Sequence, residues 1–345
     1  MTDKDMSKSV LNLSINDSPE SLYTKLNIPS LKYVHLDHSH IDNSGKSIIQ
    51  LAYEYQDIKN KLIILTNLGF LTYVLRDGVS SFVHVQEIRN LWVPVKDGRY
   101  SCDPNNIVYE YNDASVHLNK KLLVIFSQIP LDPYSPSLNR YFARNFSTIE
   151  KYIGKDVAIL RIADLGGITG AFYLNTIGLP QNEKNIQKLI SRIALDNGIT
   201  KENIVLYGTS KGGTAAFYHG LQCGYKSVIV DPILNDHYYI TKCKDLHLIE
   251  NVFPEDKFSI FNKLLEDFRC NINKMALITS ENSEQFNYIL EVVKPYKNLF
   301  LFLNNVNPDI KKHPEVGPNS LHAITALINM AFIGVKHHSG ASNFV

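Results

Sequence analysis

The chain of 345 residues carries 35 Lys and Arg against 34 Asp and Glu, a formal net charge of +1. That balance gives no field to draw in nucleic acid or an anionic membrane surface, and the length suffices for one large domain or two smaller ones with a sizeable core. The four cysteines, Cys102, Cys223, Cys243 and Cys270, are scattered without a Cys-x-x-Cys pair, which argues against a disulfide framework or a zinc site and for reduced thiols.

Residues 1–17 are polar and lack the apolar core of a secretory signal, so a cytoplasmic location is expected, or a peripheral one at the inner face of the membrane through partners. His38-Ser39-His40-Ile41-Asp42 superficially matches a metallo-hydrolase box, but Asn43 replaces its last histidine, and solvated loop histidines are expected. Gly45-Lys46-Ser47 ends like a phosphate-binding loop without its leading glycine. Segments 61–65, 70–75 and 81–85 read as short strands, with turns at Asn67-Leu68-Gly69 and Asp77-Gly78. Residues 1–104 are therefore expected to form a small α/β or β-rich subdomain.

From residue 105 to 340 strand-like and helix-like patterns alternate, which predicts a mostly parallel sheet flanked by helices in an α/β-hydrolase-like domain. Short apolar runs at 107–111, 122–127, 157–162, 204–207, 227–231, 275–279 and 299–303 suit strands covered on both faces. Gly166-Gly167-Ile168-Thr169-Gly170 has the wrong spacing for a dinucleotide fingerprint and reads as a rim loop. Ile186, Leu189, Ile190 and Ile193 follow helical spacing over 183–197, with Gly198 as the stop. Residues from about 232 to 274, helical around 259–268, form an insertion where a cap over the site is expected. The longest apolar stretch, 323–335, is broken by Thr325 and Asn329 and is too short to span a bilayer. His337 and His338 are expected in a solvated tail.

Ile204-Val205-Leu206-Tyr207-Gly208-Thr209-Ser210-Lys211-Gly212-Gly213 runs an apolar strand into Gly-x-Ser-x-Gly, followed by a helix-forming stretch. This is the layout of a nucleophile elbow, in which a sharp turn presents the Ser210 hydroxyl above a helix N-terminus. The base must lie beyond the last strand; His313, in the loop before the final helix, is preferred over His322 in that helix's first turn. Glu284 is the preferred acid, with Glu281 beside it and Asp231, at the end of the preceding strand, as alternates. The backbone N–H of Lys211, with that of Gln128 or Ile129, is expected to form the oxyanion hole; Pro130 has no N–H. The Lys211 side chain either faces an anionic substrate or carries its charge out to water. No metal ligands and no bound cofactor are expected.

The segment from Leu206 to Ala216 resembles capsule-biosynthesis proteins of the XcbB/CpsF type, and its Ser-Lys-Gly-Gly core is similar to the elbow of capsule polysaccharide O-acetyltransferases with an α/β-hydrolase fold. In those acetyltransferases a Gly-x-Asp-Asp follows the strand before the histidine, where this chain has Asn282 and Ser283. The resemblance implies acetyl transfer to a sugar hydroxyl through an acyl-serine, with acetyl-CoA as co-substrate, a polysaccharide or sugar as acceptor and other capsule-synthesis enzymes as partners. A serine esterase or deacetylase on a polysaccharide, or a non-catalytic partner of hydrolase fold, are the alternatives.

Overall fold

A computed structural model describes residues 9–41, 45–245, 247, 249–267, 275–296, 300–335 and 338–345. Asp42, Asn43, Cys270 and His337 lie outside the described residues, as does part of the expected insertion.

The N-terminal part builds a four-stranded sheet in the order β1-β2-β4-β3, from β1 (Val10–Ser14), β2 (Tyr33–Asp37), β3 (Phe70–Arg76) and β4 (Val79–His84). Asp77 and Gly78 join β3 to β4 with φ of 50° and 75°, the paired positive values of a tight hairpin turn. Helices α1 (Pro19–Leu26), α2 (Ile48–Glu54) and α3 (Gln56–Asn67) bury Leu22, Leu51 and Leu62 in one cluster with Val34 and Phe82. The strand expected at 61–65 lies inside α3. Ile58, Leu62 and Leu65 are all buried and recur every three to four residues, so a helical apolar stripe outweighs the β-branched Ile63-Ile64 pair. Ser47 caps α2 in a reciprocal capping box with Gln50, which explains the Gly-Lys-Ser run without a phosphate. His38 is also not the solvated residue expected. It is 1% exposed and its Nε2 meets Ser80 Oγ at 2.8 Å.

The large sheet has the order β13-β12-β11-β10-β9-β7-β8-β6-β5. Its strands are β5 (Ser101–Cys102), β6 (Val108–Asn112), β7 (Lys121–Phe126), β8 (Val157–Ile162), β9 (Ile204–Thr209), β10 (Lys226–Val230), β11 (Met275–Thr279), β12 (Leu301–Asn305) and β13 (Gly340–Phe344). Strands β7 to β13 are mutually parallel, whereas β6 runs antiparallel to β8 and β5 antiparallel to β6. This is an α/β-hydrolase-like fold. β5 falls within the first hundred or so residues yet pairs into this second sheet. β13 occupies the tail expected to be solvated.

Alternate residues of β7 point to opposite faces. Leu122, Val124 and Phe126 enter a cluster with α4 (Asn182–Asp196), α5 (Lys211–Cys223), α7 (Lys257–Asp267) and α8 (Phe286–Val293). Leu123 and Ile125 enter the opposite cluster, with Ile324 and Ile328 of α10 (Leu321–Phe332). After β10 the chain makes its excursion through α6 (His237–Thr241) and α7; Tyr239, Ile249 and Phe261 return into the first cluster, while Val252 packs with the N-terminal core. Among the described residues, no helix is long and apolar enough to cross a membrane. Cys102, Cys223 and Cys243 are free.

β7 sits between β8 and β9, so the winding of the chain reverses there. In open α/β sheets the crevice outside the carboxyl ends at such a reversal is where ligands bind.

Candidate active site

Ser210 follows β9 at that reversal with φ 55° and ψ −121°, a strained conformation for a residue with a side chain. Its main chain is fixed on both sides: Ser210 N–H donates to Val230 O (2.9 Å) and Ser210 O accepts from Thr214 N–H (3.0 Å). The glycines of the motif are dictated by contact. A Cβ on Gly208 would lie 2.0 Å from Gly212 O, one on Gly212 would lie 2.5 Å from Phe126 O, and one on Gly213 would lie 2.7 Å from Val230 O. Gly212 thus lets the end of β7 and its following loop rest directly on the first turn of α5.

His313 opens the short helix α9 (His313–Val316) that follows β12. Its Nε2 lies 2.7 Å from Ser210 Oγ, and its Nδ1 lies 2.7 Å from Asp231 Oδ2. A carboxylate can only accept, so Nδ1 carries the proton and Nε2 is left to accept from the serine hydroxyl. Asp231 follows β10 with φ 42° and is 1% exposed. Thr279 Oγ1 donates to its Oδ1 (2.6 Å) and Ser283 Oγ to its Oδ2 (2.5 Å). With the histidine, three donors therefore converge on this carboxylate.

The other expected partners lie elsewhere. Glu284 Oε2 accepts from the backbone N–H of His313 (2.6 Å), so it grips the main chain of the histidine instead of its ring. Glu281 is exposed, with its N–H donating to Asn304 Oδ1 (3.0 Å). His322 is exposed in the first turn of α10. The physical reason is one of reach. The carboxyl of Asp231, at the end of the strand adjacent to β9, is already behind the imidazole, whereas the loop carrying Glu284 passes beside α9.

Lys211 N–H belongs to the first turn of α5, where backbone donors have no intrahelical acceptor. Ser127 N–H is already committed to Tyr173 OH (2.6 Å), and Gln128 Oε1 receives Thr209 Oγ1–H (3.3 Å). Gln128 and Ile129 are then the next backbone donors of the loop that rests on α5.

The side chain of Lys211 follows neither expected course. It is 1% exposed, and its ammonium lies 2.9 Å from Asp164 Oδ2, an ion pair without the alignment of a good hydrogen bond. Asp164 also accepts from the N–H groups of Phe172 (3.0 Å) and Tyr173 (2.8 Å), which have φ of 53° and 60°. The Gly166–Gly170 loop closes over this pair. A Cβ on Gly170 would fall 2.5 Å from the carboxylate and 2.6 Å from the ammonium. Beneath it, His219 is fully buried, stacked on Phe126 with its Nε2 3.2 Å from Tyr173 O, and burial lowers it to about 4. His247, packed edge-on to Tyr239 at 4.2 Å, is lowered to about 3, by burial first and then by the charges of His313, Lys257 and Lys211. None of Asp164, Tyr173, Thr279 or His247 had been singled out from the sequence. The run of glycines after β8 was the one signal that pointed to a tight enclosure there.

Among the described residues, no group of His, Cys, Asp and Glu is arranged to hold a metal ion. No family model and no curated protein matches the chain. Solved structures similar to it include a glycosylation-associated Gap123 complex from Streptococcus agalactiae (16% identity, 73% of this chain and 50% of that chain, TM-score 0.48). They also include a fluorophosphonate-binding serine hydrolase of Staphylococcus aureus (12%, 67% and 96%, 0.46). A third is the capsule O-acetyltransferase of Neisseria meningitidis serogroup A (14%, 66% and 93%, 0.46). The chain spans half the length of the first of these.

Proposed function

We propose that the protein is a serine-nucleophile acyltransferase of surface-polysaccharide assembly that moves an acetyl group from acetyl-CoA to a sugar hydroxyl. The observation that carries the acyl chemistry is the unbroken hydrogen-bond chain Ser210 Oγ–His313 Nε2 and His313 Nδ1–Asp231 Oδ2 at 2.7 Å each, on a strained elbow. Ser210 Oγ attacks the thioester carbonyl while His313 Nε2 takes its proton and Asp231 holds the resulting imidazolium. The oxyanion is met by the N–H of Lys211 and that of Gln128 or Ile129. Collapse breaks the C–S bond, and the thiolate of CoA leaves with the proton from His313. A sugar hydroxyl then gives its proton to His313, attacks the acetyl-serine and releases Ser210, which recovers the proton. The acetyl donor and the polysaccharide setting, with partner enzymes of capsule synthesis and a cytoplasmic location, rest on the Ser-Lys-Gly-Gly resemblance.

The test is intact-protein mass spectrometry after brief incubation with acetyl-CoA. A single acetyl adduct on the wild type and none on Ser210→Ala supports the reading. Free CoA from the wild type without an adduct transfers it to an esterase with water as acceptor. Neither adduct nor CoA release from any short-chain acyl donor overturns it and leaves a non-catalytic partner role.

A further inference from the structure

Between the N-terminal unit and the large sheet lies a cleft of about 320 Å³, within the size range of ligand sites and at a junction of two units, where such sites concentrate. Its wall comes from four separate segments: the end of β4, the turn before β6, the chain after β8 and the N-terminus of α4. Its polar lining is almost wholly carboxamide, from Gln86, Asn105, Asn106, Gln181, Asn182 and Asn185, and no Asp, Glu, Lys or Arg lines it. The remaining lining is apolar, including Val85, Ile107 and Leu179. His84 is the one titratable lining group, and burial holds it below its ordinary value.

We propose that this cleft binds a neutral oligosaccharide segment of the acceptor. A carboxamide offers two donors and an acceptor, which matches hydroxyl groups that must both give and receive, and the absence of charge leaves an anionic chain without a partner. Among the described residues the side chains of Gln86 and Asn185 make no hydrogen bond, and only their backbone N–H groups are engaged, whereas the frame around them is fixed. Asp103 is 4% exposed and accepts from the N–H groups of Asn105 (2.8 Å) and Ile107 (2.9 Å). Arg89 ties Asp103 O to Asn106 Oδ1 at 3.0 Å each, and Asn182 Nδ2 donates to Leu174 O (3.0 Å). A preformed rim with free amides binds at low ordering cost.

The cleft is also continued. A second hollow of about 400 Å³ shares Pro180 and Gln181 with it and adds Gln187 and Gln222 beside Glu183 and Lys184, so the uncharged lining belongs to the first cleft while the pair together is long enough for a chain of several sugar residues. Its position fits transfer to such a chain. Leu165 follows the carboxyl end of β8, and Ile107 precedes β6, whose Tyr109 pairs with Ile162 at that same end. In the sheet order β9-β7-β8-β6 these two strand ends stand two and three strand spacings, roughly 10 and 14 Å, from the elbow strand. The choice of a hydroxyl-rich chain rests on the reading of Ser210 as a donor of acyl groups to sugars.

The test is isothermal titration of Ser210→Ala, which removes turnover, with chitohexaose and maltohexaose as neutral probes, hexagalacturonate as the anionic probe and a Gly-Ser-Thr hexapeptide as the peptide probe. Binding of a neutral hexasaccharide is expected, weakened about tenfold or more by Gln86→Ala with Asn185→Ala, the effect of losing two hydrogen-bonding groups. Absence of neutral hexasaccharide binding, unchanged binding in the double variant, or binding of the peptide or the anionic probe alone overturns the proposal. Acyl-serine formation by the wild type with acetyl-CoA is read separately by intact mass. Its absence refutes the acyltransfer reading, while failure of titration alone refutes the cleft.

Discussion

Replacing Asp231 by Asn isolates the acid from every other feature of the site. The carboxylate receives His313 Nδ1–H at 2.7 Å, Ser283 Oγ–H at 2.5 Å and Thr279 Oγ1–H at 2.6 Å. An amide has one acceptor oxygen for these three donors and brings an NH₂ of its own. If that NH₂ faces the imidazole, Nδ1 becomes the acceptor and Nε2 carries the proton, so the base can no longer take one from Ser210. In the serine-protease triad the equivalent exchange costs about 10⁴ in kcat, close to 5 kcal/mol at 1.36 kcal/mol per decade. The same order is expected here for the acylation burst with p-nitrophenyl acetate. Glu284→Gln is the matched control. Its amide oxygen still accepts from His313 N–H, now held at 2.6 Å by a carboxylate, and the neutral bond is weaker by about 1 kcal/mol, a fivefold effect at most. The reasoning is refuted if Asp231→Asn acylates within tenfold of the wild type while Glu284→Gln loses three decades.

Three further outcomes follow from the same geometry. Lys211→Met leaves Asp164 as an uncompensated buried charge beside its two backbone donors and should cost about 3–5 kcal/mol in urea unfolding, part of it recovered by Asp164→Asn in the double variant; equal stability of the single variant and the wild type contradicts the ion pair. Gly208→Ala places a Cβ 2.0 Å from Gly212 O and should lower stability by at least about 3 kcal/mol. Gly198→Ala, with φ 65° and open space around it, should cost only about 1 kcal/mol, and equal losses would show that the close approach at the elbow does not matter. His219 has its folded value lowered to about 4, below the ordinary 6.5, so protonation favours the unfolded chain; its contribution is intact above pH 6.5 and lost as pH falls toward 4. Between pH 6.5 and 5 that amounts to about 1.5 kcal/mol, and His219→Asn should flatten the stability profile across this window by that amount.

What was legible in the sequence was what is local. The elbow needs only neighbouring residues to exist: an apolar run, glycines two positions either side of Ser210, and a helix start. The five central strand runs, β7 to β11, are legible because strands buried on both faces are apolar almost throughout. Segment 61–65 misled because Ile63 and Ile64 are β-branched, and the helical stripe becomes visible only when the window is opened back to Ile58. β13 carries Gly, Ala, Ser and Asn, with no alternation to announce a strand, and its pairing comes from β12. The choice between Asp231 and Glu284 was hidden for a different reason. Both carboxylates reach His313, one at the ring and one at the main chain, and nothing in composition distinguishes the two contacts. Lys211 and Asp164 stand 47 positions apart, and only the packing of β8 beside β7 brings them together.

The N-terminal part, least legible of all, is tied to the segments that surround Ser210. Lys59 of α3 is buried, with its ammonium 3.1 Å from Asp245 and 3.0 Å from Glu250. Asp245 in turn accepts from the N–H groups of Ile249 (2.8 Å) and Glu250 (3.1 Å), closing the turn that contains His247. Ser47 Oγ donates to Tyr134 O (2.8 Å), and Tyr53 packs edge-on to Tyr134 at 4.9 Å, holding the far end of the loop that begins at Ser127. Ile168 of the glycine loop is buried in the N-terminal cluster. Loops at a sheet's carboxyl edge cannot hold sub-ångström geometry by themselves, since their backbone is short of regular partners. Here the loop after Ser127, the glycine loop and the turn bearing His247 each find contacts in the first hundred residues, so the four-stranded sheet belongs to the framework around Ser210.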